Sequence, residues 1–369
     1  MKRRTLTGGE RADWLRLSRT PNVGPVTFFQ LLERFGWNAQ AALDALPDLV
    51  RKAGGSRAFA APPRGAIERE IDLAAKAGAR FIAACEPDFP PALAAVDPPP
   101  PLIAVKGDVR LLSRPAIAIV GARNASAVGR RMARDLARDL GTAGYTIVSG
   151  LARGIDGEAH AVSLKTGTVA VLAGGVDQIY PPEHDRLYAE IAAQGAVVSE
   201  CPMGYIATAR DFPKRNRIIS GLSIATLIVE AAERSGSLIT ARSALEQGRE
   251  VMAVPGSPLD PRAKGSNRLI KQGAALIETA DDVLQALEGL SPPAFDEPGP
   301  DRYDARSDID IPHALLRAVR EALSPTPVSI SEIVRAVDAP HRLVLACLAE
   351  LELAGEAVTH VGGLASRAV

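Results

Sequence analysis

The spacing of apolar positions changes along this chain, and each change marks a different kind of element. From residue 10 to about 54 they recur at helical intervals. Leu15 and Leu17 precede a Pro21-Asn22-Val23-Gly24-Pro25 turn, and Phe28, Leu31, Leu32 and Phe35 follow on one face before Gly36 ends the helix. From Ile117 onward short unbroken apolar runs alternate with amphipathic stretches. Ile117–Val120, Tyr145–Ser149, Val169–Ala173, Ala196–Glu200, Ala225–Ala231, Glu250–Val254 and Ala275–Ile277 read as strands. Between and after them, Ser126–Leu140, Ile155–Thr166, Glu183–Gln194, Lys214–Leu222, Ser237–Gln247, Asn267–Gln272 and Asp281–Leu287 read as helices. Such alternation predicts an α/β fold whose mainly parallel sheet is doubly wound, Rossmann-like and covered on both faces.

The flanks read differently. A helix over 63–78 and the run F-I-A-A-C lead to the polyproline segment Asp97–Pro101, after which Leu102–Lys106 reads as an edge strand. Residues 291–308 are rich in proline and aspartate and poor in aliphatics, the composition of a disordered linker. Beyond it Ala314–Leu323, Ile330–Val337 and His341–Ala354 are helix-like and Ala357–Leu364 fits a hairpin, the element order of a winged helix. The expected domains are therefore 1–80, helical and of helix-hairpin-helix or SAM-like type; 81–290, Rossmann-like; 291–308, linker; and 309–369, winged helix. The N-terminal hairpin suits either a DNA phosphate on its turn or a small packing domain built on Leu15, Phe28 and Phe29. His341 and Arg342 are the basic residues of the third C-terminal helix, which argues for a protein-docking or weak DNA role.

Composition narrows the function. A chain of 369 residues, 47% hydrophobic, is long enough for two or three cored domains. Lysine plus arginine equal aspartate plus glutamate at 43 each, so a polyanion site has to be a local patch. Cys85, Cys201 and Cys347 form no C-x-x-C pair and suit a reducing compartment as buried thiols. With no apolar run long enough to cross a bilayer and no apolar leader, the cytoplasm is expected and a membrane partner is not.

Four glycine-containing turns follow strands: G-A-R-N-A-S (121–126), S-G-L-A-R-G-I-D (149–156), A-G-G-V-D (173–177) and E-A-A-E-R-S-G-S-L-I-T-A (230–241). In a parallel sheet these turns converge on one edge, where helix N-termini attract anions. The first fails the dinucleotide fingerprint, which wants glycines where Arg123 and Ser126 stand. A guanidinium fork there suits phosphate oxygens, unless it merely pairs with a carboxylate. With F-P-K-R-N-R-I-I-S-G (212–221), the turns place Arg123, Arg153, Lys214 and Arg217 along one groove. A polyphosphate surface there would draw on Gly121, Ala122, Arg123, Ser126, Gly150, Arg153 and Gly174, on Lys214, Arg215, Asn216 and Arg217, and on Ser235, Gly236 and Ser237. The sequence lacks G-x-x-x-x-G-K-[ST], H-E-x-x-H and G-x-S-x-G, so no catalytic residue, metal or nucleotide cofactor is expected. His160 and His184 read as partly exposed structural residues. Asp156, Asp177, Glu200 and Glu230 read as caps and partners of the groove arginines.

Together V-G-A-R-N-A-S, S-G-L-A-R-G-I-D-G-E-A-H, L-A-G-G-V-D-Q-I-Y-P-P-E-H, S-E-C-P-M-G, F-P-K-R-N-R-I-I-S-G-L-S, V-E-A-A-E-R-S-G-S-L-I-T-A-R-S-A-L-E-Q-G-R and A-V-P-G-S resemble the DNA-processing protein A family, DprA or Smf, in order from Asp88 to about Asp282. The resemblance implies a bacterial cytoplasmic homodimer, not an enzyme and without a cofactor. It would bind and protect incoming single-stranded DNA and load the RecA recombinase onto it during natural transformation. The family's phosphate-contacting arginine matches Arg123, and its basic helix matches Lys214, Arg215 and Arg217. Where members often have G-S-R, this chain has Gly121-Ala122-Arg123 and lacks a serine hydroxyl. Two other readings stay open: a nucleotide or phosphoribosyl hydrolase of related fold, built on Glu230 but lacking a G-G-x-G-T turn, and an interaction scaffold with a vestigial groove.

Overall fold

A threonine cap starts the first helix of the chain, α1 (Gly8–Ser18): the Thr7 hydroxyl accepts from Glu10 N at 3.3 Å, and the Glu10 carboxylate accepts from Thr7 N at 2.8 Å. The computed structural model describes residues 3–52, 60–288, 311–360 and 363–368, so the linker expected at 291–308 lies outside the described residues. After α1 come α2 (Pro25–Arg34), α3 (Ala39–Lys52) and α4 (Arg64–Lys76). Trp14 meets Phe28 edge to face at 5.3 Å, both fully buried with Leu15, Leu17 and Leu32, so the hairpin's apolar face is a packed core. Phe29, expected in that core, is half-buried.

Nine strands follow: β1 (Ala79–Ala83), β2 (Leu102–Gly107), β3 (Ala116–Val120), β4 (Thr146–Ser149), β5 (Thr168–Val171), β6 (Ala196–Ser199), β7 (Ala225–Ile228), β8 (Glu250–Ala253) and β9 (Ala275–Leu276). Their order is β1-β2-β6-β5-β4-β3-β7-β8-β9, with every pair from β6 to β9 parallel and the β1–β2 and β2–β6 pairs antiparallel. The fold is thus the expected doubly wound α/β sheet. One strand is corrected: Leu102–Val105 are buried and lie inside the sheet, and the edge belongs to Ala79–Ala83. Between strands lie α5 (Pro91–Ala94), α6 (Ala127–Thr142), α7 (Ile155–Ser163), α8 (Asp185–Gln194), α9 (Asp211–Gly221), α10 (Ser237–Glu246) and α11 (Lys264–Lys271), and α12 (Ala280–Glu288) closes the unit. Ile117, Ile119, Leu136, Leu140, Ile147, Ile155, Leu227 and Val283 form the core under α6, α7 and α12. Helices α9 and α10 pack on one another and on β5, β7 and β8.

The last elements are α13 (His313–Ala322), β10 (Val328–Ser329), α14 (Ile330–Val337), α15 (His341–Leu353), β11 (Ala357–His360) and β12 (Leu364–Arg367), a winged helix around Leu316, Val319, Ile333, Val344, Leu348 and Leu351. By contacts the chain forms two compact units, Met1–Thr5 with Glu70–Glu297, and Leu6–Arg69 with Pro298–Val369. Within the second, α15 packs on α2 and α3. Arg34 Nη1 donates to the buried Glu350 at 3.1 Å, and the Thr27 hydroxyl donates to Glu352, which also accepts from Thr359 N at 3.2 Å on β11. The helix that reads DNA in many winged helices is therefore buried along residues 347–351, while His341 and Arg342 at its start are exposed. Among the described residues no helix is long and apolar enough to cross a membrane.

Candidate nucleic-acid interface

Strand order reverses at β3, whose neighbours β4 and β7 continue the chain in opposite directions, and ligands of open α/β sheets sit at the carboxyl ends flanking such a point. The nearest helix N-terminus is already filled. Glu230, just past β7, accepts from Ser126 N at 2.9 Å and from the Ser126 hydroxyl, which in turn caps Gly129 N at 2.9 Å. A Cβ on Gly129 would stand 2.4 Å from the Glu230 carboxyl carbon. A side-chain carboxylate thus occupies the place where a pyrophosphate meets α6 in dinucleotide folds. Ser126, expected at the ligand surface, serves here as the cap of α6.

The open space lies one turn further along the edge. A cleft of about 530 Å³ is bounded by Arg123 and Asn124, by Arg130 on α6, by the loop 150–154, by Tyr180 and His184, and by Phe212 on α9. Arg123 is exposed, forms no ion pair with a described residue, and lies 5.0 Å from the Phe212 ring centroid. The carboxylate-paired reading of Arg123 therefore has no partner among the described residues. Phe212 meets Tyr180 edge to face at 5.5 Å, which puts two aromatic faces beside an available guanidinium. Lys214 is exposed in the first turns of α9 and likewise forms no ion pair with a described residue. That turn is fixed by Asp211, which accepts from Thr208 N at 2.8 Å, the Thr208 hydroxyl at 2.7 Å and Tyr205 Oη at 2.8 Å. Burial works against the ionised Asp211, but those hydrogen bonds outweigh it and hold the carboxyl below its usual range.

The other expected residues divide sharply. Arg153 is exposed on the cleft rim with a loose 3.6 Å contact to exposed Glu183, a pair of little energetic weight. Gly121 and Ala122 support the turn: a Cβ on Gly121 would stand 2.6 Å from Ile155, and Ala122 O accepts from Ile155 N at 3.3 Å. Arg217 is half-buried and held by Glu200 at 2.6 Å, so it is a partner of that acid rather than an available cation. Asn216 is buried and donates to Gly236 O at 3.3 Å. Ser235 and Ser237 bond one another at 2.7 Å at the start of α10. Gly174 lies buried under Tyr205, whose carbonyl would be 2.6 Å from a Cβ there. Arg215 points inward and is 7% exposed. In this structure Arg215, Asn216 and Arg217 on α9 are engaged by protein partners, and Gly174, in the loop after β5, is packed under Tyr205.

Phe212, Tyr180, Asn124, Arg130 and His184 also line the cleft, although the motif pattern does not single them out. Phe212 and Tyr180 carry a signal, since each is an aromatic directly before proline within a quoted motif. His160 is corrected from partly exposed to wholly buried: Nδ1 donates to Thr168 Oγ1 at 2.7 Å, and the Thr168 hydroxyl donates in turn to Ile147 O at 2.9 Å. Burial, followed by the nearby His184 and Arg215, drives its pKa down to about 3.

A doubly wound sheet whose α6 terminus is capped by a side-chain carboxylate, beside an arginine-aromatic cleft, makes this a Rossmann-like protein without the dinucleotide fingerprint. The chain belongs to the DNA recombination-mediator protein A family, whose pattern it matches over residues 80–288. Residues 8–75 match the DprA-like N-terminal HHH domain and 304–363 the DprA winged helix domain. It is 40% identical to protein Smf of Escherichia coli K12 over 310 residues, 83% of this chain and 82% of that one. It is also 40% identical to the DNA processing protein DprA of Bacillus subtilis 168 over 261 residues, 68% of this chain and 88% of that one. The crystal structure of DprA from Streptococcus pneumoniae superposes with a TM-score of 0.65 at 31% identity, covering 77% of this chain and 98% of that one. DprA from Helicobacter pylori, described for a unique single-stranded DNA binding mode, superposes at 0.53 with 28% identity, covering 57% of this chain and 96% of that one.

Proposed function

We propose that this protein binds single-stranded DNA in the Arg123–Phe212 cleft and serves as a recombination mediator that hands the strand to a RecA-type recombinase. The observation that carries the reading is an exposed guanidinium without an ion-pair partner among the described residues, set beside the exposed Tyr180 and the half-buried Phe212: phosphates take Arg123, Lys214 and Arg153, and unstacked bases take the two rings. A duplex keeps its bases stacked inside and offers these rings nothing. Smf and DprA relatives and the single-strand binding described for the Helicobacter pylori protein support the same reading. In this proposal the protein works as a cytoplasmic homodimer and carries out no chemical step. The hydrolase alternative requires a free Glu230, and that carboxylate is engaged by Ser126 at the head of α6. Gel shift with a 30-nucleotide oligo(dT) and the matching duplex tests it. A clear preference for the single strand is expected; equal or tighter duplex binding overturns it.

A further inference from the structure

Arg215 stands in the middle of a basic run, yet the structure gives it an inward task. Its Nη1 donates to Gly150 O at 2.7 Å and to Val171 O, bridging the loop after β4 to the end of β5. The opposite side of the same glycine is held by Asp156, 5% exposed, whose Oδ2 accepts from Gly150 N at 3.1 Å and from Ala152 N at 3.3 Å. Both polar groups of one peptide position are thus gripped by a buried cation and a buried anion. Burial raises the Asp156 pKa and lowers that of Arg215 to about 10; each charge opposes the effect of burial on the other.

The gripped loop is strained at one residue. Leu151, buried completely, is held at φ +55°, its carbonyl accepting from His184 Nδ1 at 2.9 Å, while Gly154 takes a φ of +78° open to glycine. The loop also abuts the backbone of the first turn: a Cβ on Gly154 would stand 2.3 Å from Ala122 O and 2.7 Å from Arg123 O. A continuous contact path therefore runs from Arg215 through Gly150 to Arg153 on the rim and to the peptide that carries Arg123.

We propose that Arg215 is a positioning residue, which together with Asp156 holds the 149–154 loop so that Arg153 and Arg123 meet successive phosphates, and which does not touch the strand itself. The proposal rests on the single-strand reading above. It separates Arg215 from Lys214 and Arg123, which are direct contacts in that reading.

Direct and indirect roles differ in salt dependence. A lost phosphate contact lowers the slope of log K against log salt by about 0.7, whereas a misplaced loop lowers affinity without removing a counterion-releasing pair. Binding of fluorescent oligo(dT) is measured from 50 to 300 mM NaCl for the wild type, Arg123→Ala, Arg215→Gln and Gly150→Ala. Gly150→Ala removes no charge but puts a methyl 2.4 Å from Arg215 Nη1, forcing the grip open. Arg215→Gln and Gly150→Ala are expected to lose about tenfold in affinity with the wild-type slope, and Arg123→Ala to lose affinity with a reduced slope. A slope for Arg215→Gln reduced as in Arg123→Ala, or wild-type affinity for Gly150→Ala, overturns the proposal. Should Arg215→Gln fail to fold, Gly150→Ala decides alone. Absence of oligo(dT) binding by the wild type refutes the single-strand reading itself.

Discussion

Acid should destabilise the sheet unit through His160. Its side chain is wholly buried between α7 and β5, its Nδ1–H is spent on Thr168, and its Nε2 has no hydrogen-bond partner among the described residues. Burial leads the causes that bring its pKa to about 3, against 6.5 for the free side chain. The sign follows directly: between pH 6.5 and 3 the unfolded chain takes up a proton that the folded protein refuses. The stabilisation is complete above 6.5 and is lost as pH falls towards 3. At 1.36 kcal/mol per pH unit the full loss is about 5 kcal/mol, and a shift from pH 7 to pH 4 removes about 3 kcal/mol. His160→Gln keeps a donor for Thr168 and cannot be protonated. Urea denaturation at pH 7 and pH 4, followed by circular dichroism, should therefore show the wild type losing about 3 kcal/mol more than the variant. Trp14 and Trp37 both lie in the helical unit, so fluorescence separates that unit's unfolding from the sheet's. Parallel acid losses in the two proteins would refute the assignment of acid sensitivity to this imidazole.

Three further outcomes are expected. Arg34→Ala leaves the buried Glu350 carboxylate unpaired and should cost about 3 kcal/mol in the helical unit, read from tryptophan fluorescence in urea; a cost below about 1 kcal/mol would mean that solvent reaches the site. Deleting 298–369 alone should expose the faces of α2 and α3 that α15 covers and cause aggregation in size exclusion, whereas deleting 1–69 as well should restore a monodisperse sheet unit. Glu230→Ala strips two charge-assisted hydrogen bonds from the head of α6 and should lower the sheet unit's stability by roughly 2 to 4 kcal/mol, with an unchanged melting temperature as the contrary result.

How much of this is legible in sequence depends on whether local pattern or tertiary packing decides. The strand-helix alternation is local, and the turn at Gly121–Ser126 is recognisable because Gly121 keeps the first glycine of a dinucleotide turn while Arg123 and Ser126 stand where the other two glycines belong. The inward turn of Arg215 is only faintly written: it shares a helical face with Ile218, Ile219 and Leu222, all buried. The capping of Ser126 by Glu230 joins residues 104 positions apart, and neither motif names the other. β1 looks like an ordinary apolar run, and only its antiparallel pairing with β2 makes it the sheet edge. The packing of α15 against α2 and α3 is equally hidden, because the two ends of the chain meet across more than 300 residues.

The most direct measurement is the salt-dependent affinity of the wild type and Arg123→Ala for single-stranded oligo(dT). Three available cations, Arg123, Arg153 and Lys214, should give the wild type a slope of about −2 in log K against log salt. Arg123→Ala should bind at least about tenfold more weakly, with the slope reduced by about 0.7 and an unchanged melting temperature. Binding by a folded Arg123→Ala with wild-type affinity and slope would remove the cleft from the single-strand site.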